Sequence, residues 1–322
     1  MTGVAVTAAV AHVPGLPAEL DLPPSGAGGE PAVDADQAHQ LLGRKGLLYK
    51  EPATRLALCA VHRALGLPPG RPERDPAGAG TAVVVSSNLG NAATVCTVVD
   101  QVRAGQGREV SPLQAPNASS NVIASTIAIR HGFTGANLTV CSGATGGLDA
   151  VRLGALLVRS GRARRAVVVG VEPADEVAVR LLALRGATAP RAVAAAVVLE
   201  PAAGPGAAGG AVELGPVRRH AGPVPPVPPD PARAAPAFTV LPHAVPGAAG
   251  VDLTGLVGDC YGAAGVLAVA LAARWLAANA GAPASAGAGT GVGAPVGAPV
   301  GTVAITCGDA ADGYASTWLS RA

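Results

Sequence analysis

Aromatic side chains are almost missing: the 322 residues hold two Phe, three Tyr and two Trp. A core built without rings must be filled by Val, Leu, Ile and Ala. Charge is scarce too, with Asp, Glu, Lys and Arg at 14% and a formal net charge of +2. That balance gives no reason to expect a nucleic acid or an acidic membrane surface as partner. Cysteine is limited to Cys59, Cys96, Cys141, Cys260 and Cys307, dispersed and without a CxxC pair. An odd, scattered set fits reduced cytosolic thiols better than disulfides or zinc, so no metal is expected. VVVSSNLGN follows a strand-like run but lacks GxGxxG, so it carries little weight as a phosphate loop and no cofactor is expected. Long apolar spans are lacking as well: the run from Ala263 to Ala273 stops at Arg274, short of a membrane span. The N-terminal apolar segment has no basic region before it, which argues against a signal peptide. A soluble cytoplasmic protein is the expectation.

What the chain does have is hydrophobic residues (49%), 44 Gly and 29 Pro. Its length suits one large domain or two fused halves with ample core. Apolar strand-like runs, Gly3 to Val10, Thr81 to Ser87, Leu138 to Cys141, Ala166 to Val171 and Ala192 to Leu199, alternate with helical segments. The helices are expected from about Pro52 to Leu65, after Asn91 to Ala104, over Ser119 to His131, from about Leu148 to Arg159, and along Ala174 to Arg185. This alternation predicts a layered α/β fold around a buried sheet. Composition shifts at Pro201 to Pro236, a Pro/Gly/Ala-rich stretch containing PVPPVPPDP, which reads as a linker or irregular loop. The pattern resumes with Phe238 to Leu241, GDCYGAAG (Gly258 to Gly265) and a strongly apolar helix. Thr302 to Thr306 and Ala315 to Leu319 form a candidate closing pair of strands around CGDAADG.

The organising stretch is LTVCSGATGGLDAVRLGALLVRSG, Leu138 to Gly161. It reads as a buried strand, a sharp small-residue turn and a helix. Such an elbow presents a nucleophile at a helix start, where the dipole favours an anion. The turn is present, but an obvious nucleophile at its tip is not. Cys141 lies three residues early; a displaced nucleophile is one reading, and a small buried hydrophobe ending a strand is the favoured one. Ser142 and Thr145 read as groups that bond the turn or cap the helix rather than attack a substrate.

This strand, Gly-rich turn and helix, followed by SGRARRAVVVGVEP, resembles the β-ketoacyl synthase family of the thiolase fold. Four further segments carry the resemblance: PNASSNVIASTIAIRHGFTGANLTV, RAVAAAVVLEP, GDCYGAAGVLAVALAA and TCGDAADGYAST. It covers most of residues 1–200 and about 238–322. It implies an αβαβα fold of two related halves: 1–200 with an elbow at 141–147, a linker over 201–237, and a shortened second half over 238–322.

Catalytic members carry a Cys that attacks an acyl thioester and two His that help decarboxylate the extender and stabilise its enolate. Aligned on Gly147-Leu148-Asp149-Ala150, the Cys position here is Ala144. Aligned on Gly262-Ala263-Ala264-Gly265, one His position is Asp259. The other His motif has no clear match, and His243 reads either as its remnant or as an ordinary loop histidine. Ala144 has no nucleophilic atom, and an ionised carboxylate at 259 would repel an enolate, so no self-sufficient condensation is expected. The chain thus resembles the chain length factor of type II polyketide systems, although that subunit often carries Gln where Ala144 stands.

The resemblance implies a catalytic ketosynthase as heterodimer partner, an acyl carrier protein reached through the complex, and an interface helix over 119–131. Asn117, Asn121 and Ser125 are then candidates for lining a shared acyl tunnel. An active acyltransferase using Cys141 or Ser142, and an acyl-binding regulatory protein, are the other readings.

Overall fold

Runs of Val and Ala become strands because both of their faces are covered. The computed structural model describes residues 3–20, 22, 30–70, 78–187, 190–202, 212–222, 236, 238–242, 250–279 and 301–321. In chain order the elements are β1 (Val4–His12), α1 (His39–Leu42), α2 (Pro52–Ala64), β2 (Thr81–Ser86), α3 (Ala92–Arg103), α4 (Val122–His131), β3 (Asn137–Val140), α5 (Gly146–Arg159), β4 (Arg165–Glu172), α6 (Glu176–Ala183) and β5 (Val193–Pro201). They continue with β6 (Val212–Leu214), β7 (Arg218–His220), β8 (Phe238–Leu241), β9 (Gly250–Asp252), α7 (Leu253–Val257), α8 (Ala264–Ala278), β10 (Thr302–Asp309) and β11 (Gly313–Arg321).

The strands run β3-β2-β4-β5-β1-β6-β11-β10-β8-β9, and β7 pairs with β11 off this path. Each half of that order repeats one scheme. In the first half β3–β2 and β2–β4 are parallel, and β4–β5 and β5–β1 are antiparallel. In the second half β9–β8 and β8–β10 are parallel, and β10–β11 and β11–β6 are antiparallel. Both halves therefore trace the same topology, and β1 and β6 join them edge to edge.

Strand alternation sorts the first half's side chains into two cores. Ala166 and Val168 of β4 and Ala195, Val197 and Leu199 of β5 face inward, toward α5 and α8. Val167, Val169 and Val171, with Ala194, Ala196 and Val198, face the outer helices α2 and α4. The inner core continues into Val240, Val303, Ile305 and Leu319 of the second half, so α5 and α8 are sandwiched between the half-sheets. The α5–α8 contact is made by glycines. A Cβ on Gly147 would lie 2.7 Å from Gly265 N, and a Cβ on Gly265 would lie 2.5 Å from Leu148 N. Side chains here would force the two helix starts apart.

Three expectations change. The 201–237 stretch, read as a linker, contributes β6 and β7, and β6 is the first strand of the second half. A three-residue strand needs only Val212 and Leu214 buried and Glu213 half-buried, too brief a signal inside a Pro/Gly-rich context. The strand before the elbow is an edge strand: every residue of β3 is only partly buried, because one side of it has no neighbouring strand among the described residues. The apolar run read as ending at Arg274, short of a membrane span, belongs to a helix that continues to Ala278, close to the expected end at Ala277. With the 3-10 turn before it, it spans Tyr261–Ala278, long and apolar enough by length and composition to cross a membrane, yet 67% of that window is buried inside the fold. It reads as the hydrophobic axis of the core.

A candidate active-site elbow closed by carboxylates

The elbow forms where β3 ends. Gly143 takes a left-handed conformation (φ 66), a 3-10 turn spans Gly143–Thr145, and α5 starts at Gly146. The turn is fixed from below by Asn88, whose Oδ1 accepts from Gly143 N at 2.9 Å and whose Nδ2 donates to Gly143 O at 3.3 Å. Asn88 is held in turn by Glu172 at the end of β4. The Glu172 carboxyl accepts from Asn88 N (2.8 Å), Asn88 Nδ2 (2.8 Å) and Leu89 N (3.0 Å). Burial drives the Glu172 pKa up to about 7 despite these three donors, because a lone carboxylate is poorly solvated at 1% exposure.

Ala144 sits at the tip, 8% exposed, and its methyl offers no chemistry. Its N–H donates to Asp312 Oδ2 at 2.8 Å. Asp312 lies in the turn between β10 and β11, where Asp309 Oδ1 accepts from Ala311 N (2.9 Å) and Asp312 N (2.8 Å) and so shapes the turn. Arg185, just beyond α6, donates to Asp309 Oδ2 at 2.9 Å and to Asp312 Oδ2 at 2.8 Å. Its guanidinium lies 4.9 Å from the Tyr261 ring centroid, and the Tyr261 hydroxyl donates to Asp312 Oδ2 at 3.3 Å. Burial and the Asp312 charge push the Tyr261 phenol up to about 12. For Asp309, desolvation raises the pKa, but the Asp312 amide and Arg185 outweigh it and hold the carboxyl below its usual range.

Beside this group opens a cavity of about 300 Å³, lined by Ala144, Leu182, Arg185, Asp259, Tyr261 and Asp309 among others. The structure thus brings Ala144 and Asp259 to one cavity. Asp259 Oδ1 accepts from Tyr261 N at 2.9 Å and stabilises the turn that starts α8. His243 lies outside the described residues, although Pro242 lines the cavity.

The remaining candidates are elsewhere. Asn117 is buried, donates to Tyr49 O at 2.6 Å, and lines a second cavity of about 410 Å³ with Glu51, Thr94 and Gln114. Asn121 and Ser125 are not among that cavity's lining residues. Asn121 Nδ2 donates to Ser125 Oγ (3.2 Å) and Asn137 Oδ1 (3.0 Å), and its Oδ1 accepts from Thr139 (2.8 Å), which ties α4 to β3. The sequence favours a buried Cys141, but the structure exposes it, since the edge strand leaves that end uncovered. Its thiol donates to Ser87 O at 3.1 Å, and partial desolvation and Glu172 push its pKa up, away from the thiolate. Thr145 bonds the turn, with its Oγ1 3.0 Å from Ser142 O, and neither Ser142 nor Thr145 caps the helix. Both donate to Asp149 Oδ2, at 2.5 and 2.9 Å, and Arg219 of β7 clamps the same carboxylate.

Sequence reasoning missed Asn88, Glu172, Arg185, Arg219, Tyr261 and Asp312. Two of them left a trace: Glu172 is a carboxylate ending an apolar run, and Asp312 stands three residues after Asp309 in a Gly-rich turn.

Solved structures that share this fold include three ketosynthase-type proteins. An ishigamide ketosynthase/chain length factor superposes with a TM-score of 0.67 at 18% identity, covering 99% of each chain. A type II polyketide synthase ketosynthase, in complex with its acyl-carrier protein and bound to a hexaketide, gives 0.65 at 14% identity, covering 100% of this chain and 99% of that one. An oxazolomycin ketosynthase domain of Streptomyces albus JA3453 gives 0.60 at 16% identity, covering 99% of this chain and 76% of that one. No curated protein matches by sequence. The fold is thiolase-like, as the sequence resemblance implied. Residues 19–212, which hold the elbow, Asn88 and Glu172, match the N-terminal domain of the β-ketoacyl synthases, and the chain belongs to that family.

Proposed function

We propose that this chain is the non-catalytic subunit of a ketosynthase heterodimer, a chain length factor in polyketide or fatty-acid-like biosynthesis. It pairs with a catalytic β-ketoacyl synthase, meets the acyl carrier protein through that complex, and shapes the acyl tunnel. It needs no cofactor and works in the cytoplasm. The observation that carries this reading is the elbow tip: a methyl stands where a nucleophile is needed, and its amide is already bonded to a carboxylate. Oxyanion stabilisation needs donors free to meet charge as it develops. Asp259 adds a carboxylate to the same cavity, where an enolate would be repelled.

Unpartnered surface supports the pairing. β3 has a free edge among the described residues, a template for another strand. α3 buries none of its residues and exposes Val95, Val99 and Val102 at helical spacing, and α4 exposes Ile129 at 81%. α3 packs on the 115–118 turn that leads into α4, and α4 packs on β3, so these features adjoin. In this reading Asn121 and Ser125 stiffen the paired edge, and Asn117 lines the tunnel side.

Co-expression with a ketosynthase that has an intact Cys and two His tests the proposal. A stable one-to-one complex is expected. A chain that purifies as a stable monomer and binds no ketosynthase rules it out. The exposure of Cys141 favours one second reading, an atypical acyltransferase loaded at that thiol. Intact-mass measurement after incubation with an acyl carrier protein thioester decides it, and no mass gain is expected.

A further inference from the structure

The carboxylate at the elbow is more than a neighbour of Ala144. Three donors from three separate segments converge on one oxygen, Asp312 Oδ2: Ala144 N at 2.8 Å, Arg185 Nη2 at 2.8 Å and Tyr261 Oη at 3.3 Å. The amide opens a turn running into α5, so it is the electropositive end of a helix; the guanidinium adds a full charge, and the phenol is held protonated. This donor set is one that binds a small carboxylate, and it is filled from within. Two further features serve the seating. Gly143 leaves room for it: a Cβ there would overlap the Asp312 carboxylate. Tyr261 is the one non-glycine residue among those described with a positive φ (41), a strained conformation that accompanies the placement of its ring under Arg185.

We propose that Asp312 is a built-in anion plug: its carboxylate occupies a carboxylate-binding site formed by Ala144 N–H, Arg185 and Tyr261, and keeps the elbow cavity closed to acyl and carboxylate ligands. Asp309 is a positioning residue for the plug, since it accepts from the Asp312 amide and shares Arg185. The inference uses the reading above only to identify Ala144 as the elbow tip. Anion binding can fail while partner pairing succeeds, and the reverse, so the two tests are separable.

Chemical rescue with acetate, on the full chain, tests the plug. Asp312→Ala removes the internal carboxylate and leaves the three donors. Its melting temperature is expected to fall below wild type and to recover saturably on adding sodium acetate, with sodium chloride at equal ionic strength as control. Wild type is expected to show at least a tenfold weaker acetate response. Adding Arg185→Gln to Asp312→Ala should abolish the rescue, and acetate soaked into crystals of the single variant should sit between Ala144 N and Arg185. Asp312→Asn, which keeps the shape and loses the charge, guards against a misfolded alanine variant: it should fold and stay unresponsive to acetate. The proposal is overturned if wild type responds to acetate as strongly as Asp312→Ala, if the folded Asp312→Ala chain shows no response beyond chloride, or if the rescue survives Arg185→Gln.

Discussion

The two Gly-rich helix starts of this protein occupy equivalent places in two copies of one topology. In the first half β3 runs through Ser142 to Gly147 into α5 and then to β4. In the second half β9 and α7 run through Gly258 to Gly265 into α8 and then to β10. Both starts use a 3-10 turn before the α-helix, and both place a residue at positive φ in that turn: Gly143 at 66 and Tyr261 at 41. Glycine takes that conformation at little cost, whereas tyrosine does not. The first turn is thus at ease locally and is held from outside by Asn88, Glu172, Asp312 and Arg219. The second carries its own strain, and its ring and hydroxyl are used against Arg185 and Asp312. The first half supplies the turn and Arg185, and the second supplies Tyr261, Asp309 and Asp312, which close it.

The largest expected effect comes from breaking the contact between the two starts. Gly147→Ala or Gly265→Ala puts a methyl against backbone that cannot retreat, so overpacking of about 1–3 kcal/mol or more outweighs any helix-propensity gain from alanine. Denaturant unfolding should show a matching fall in stability for either variant.

Next is the support under the first turn. Glu172 has a folded pKa raised from 4.5 to about 7, so its protonated form is favoured by folding, and that contribution is lost as pH rises from 4.5 through 7. His12, buried with Nε2 2.9 Å from Val33 O, has its pKa lowered from 6.5 to about 4 chiefly by desolvation, so its contribution is lost as pH falls from 6.5 through 4. The two slopes oppose across nearly one window, each on the order of 3 kcal/mol. Wild-type melting temperature should therefore vary little between pH 4.5 and 6.5. Glu172→Gln should leave the His12 slope alone, giving a chain that gains stability steadily from pH 4 to 6.5 and exceeds wild type near pH 7.5. A Glu172→Gln profile as flat as wild type would sink this account.

Placing a thiol at the elbow tip separates the two starts chemically. Ala144→Cys is expected to give no condensation above background with malonyl and acyl carrier protein thioesters, because Asp312 and Asp259 remain. Robust turnover from that single change would mean that the second half is intact.

A smaller effect is expected at the rim. Arg219 clamps Asp149 from β7 while 46% of its side chain is exposed, so solvent screening limits Arg219→Ala to about 1 kcal/mol or less. The smallest stability effect is on the far edge: Ile129→Glu on α4 should change stability by no more than about 0.5 kcal/mol. The same change should weaken ketosynthase pairing tenfold or more in a pull-down titration, if α4 is at the interface.

The sequence by itself determined the layered α/β class, the elbow, the apolar axis of the second half and the alanine at the elbow tip. Those properties depend on local periodicity and residue type: a short, Val-rich apolar run such as Ala166 to Val171 (AVVVGV) reads as a doubly covered strand, and alanine at the tip has no reactive atom whatever surrounds it. Tertiary structure alone decided that β6 begins the second half, that Cys141 is exposed at an edge, and that Asp312 sits on the elbow amide. Each depends on partners far along the chain. Asp312 lies 168 residues from Ala144 and 127 from Arg185, and no window of local sequence records a carboxylate folded back onto an amide at that separation.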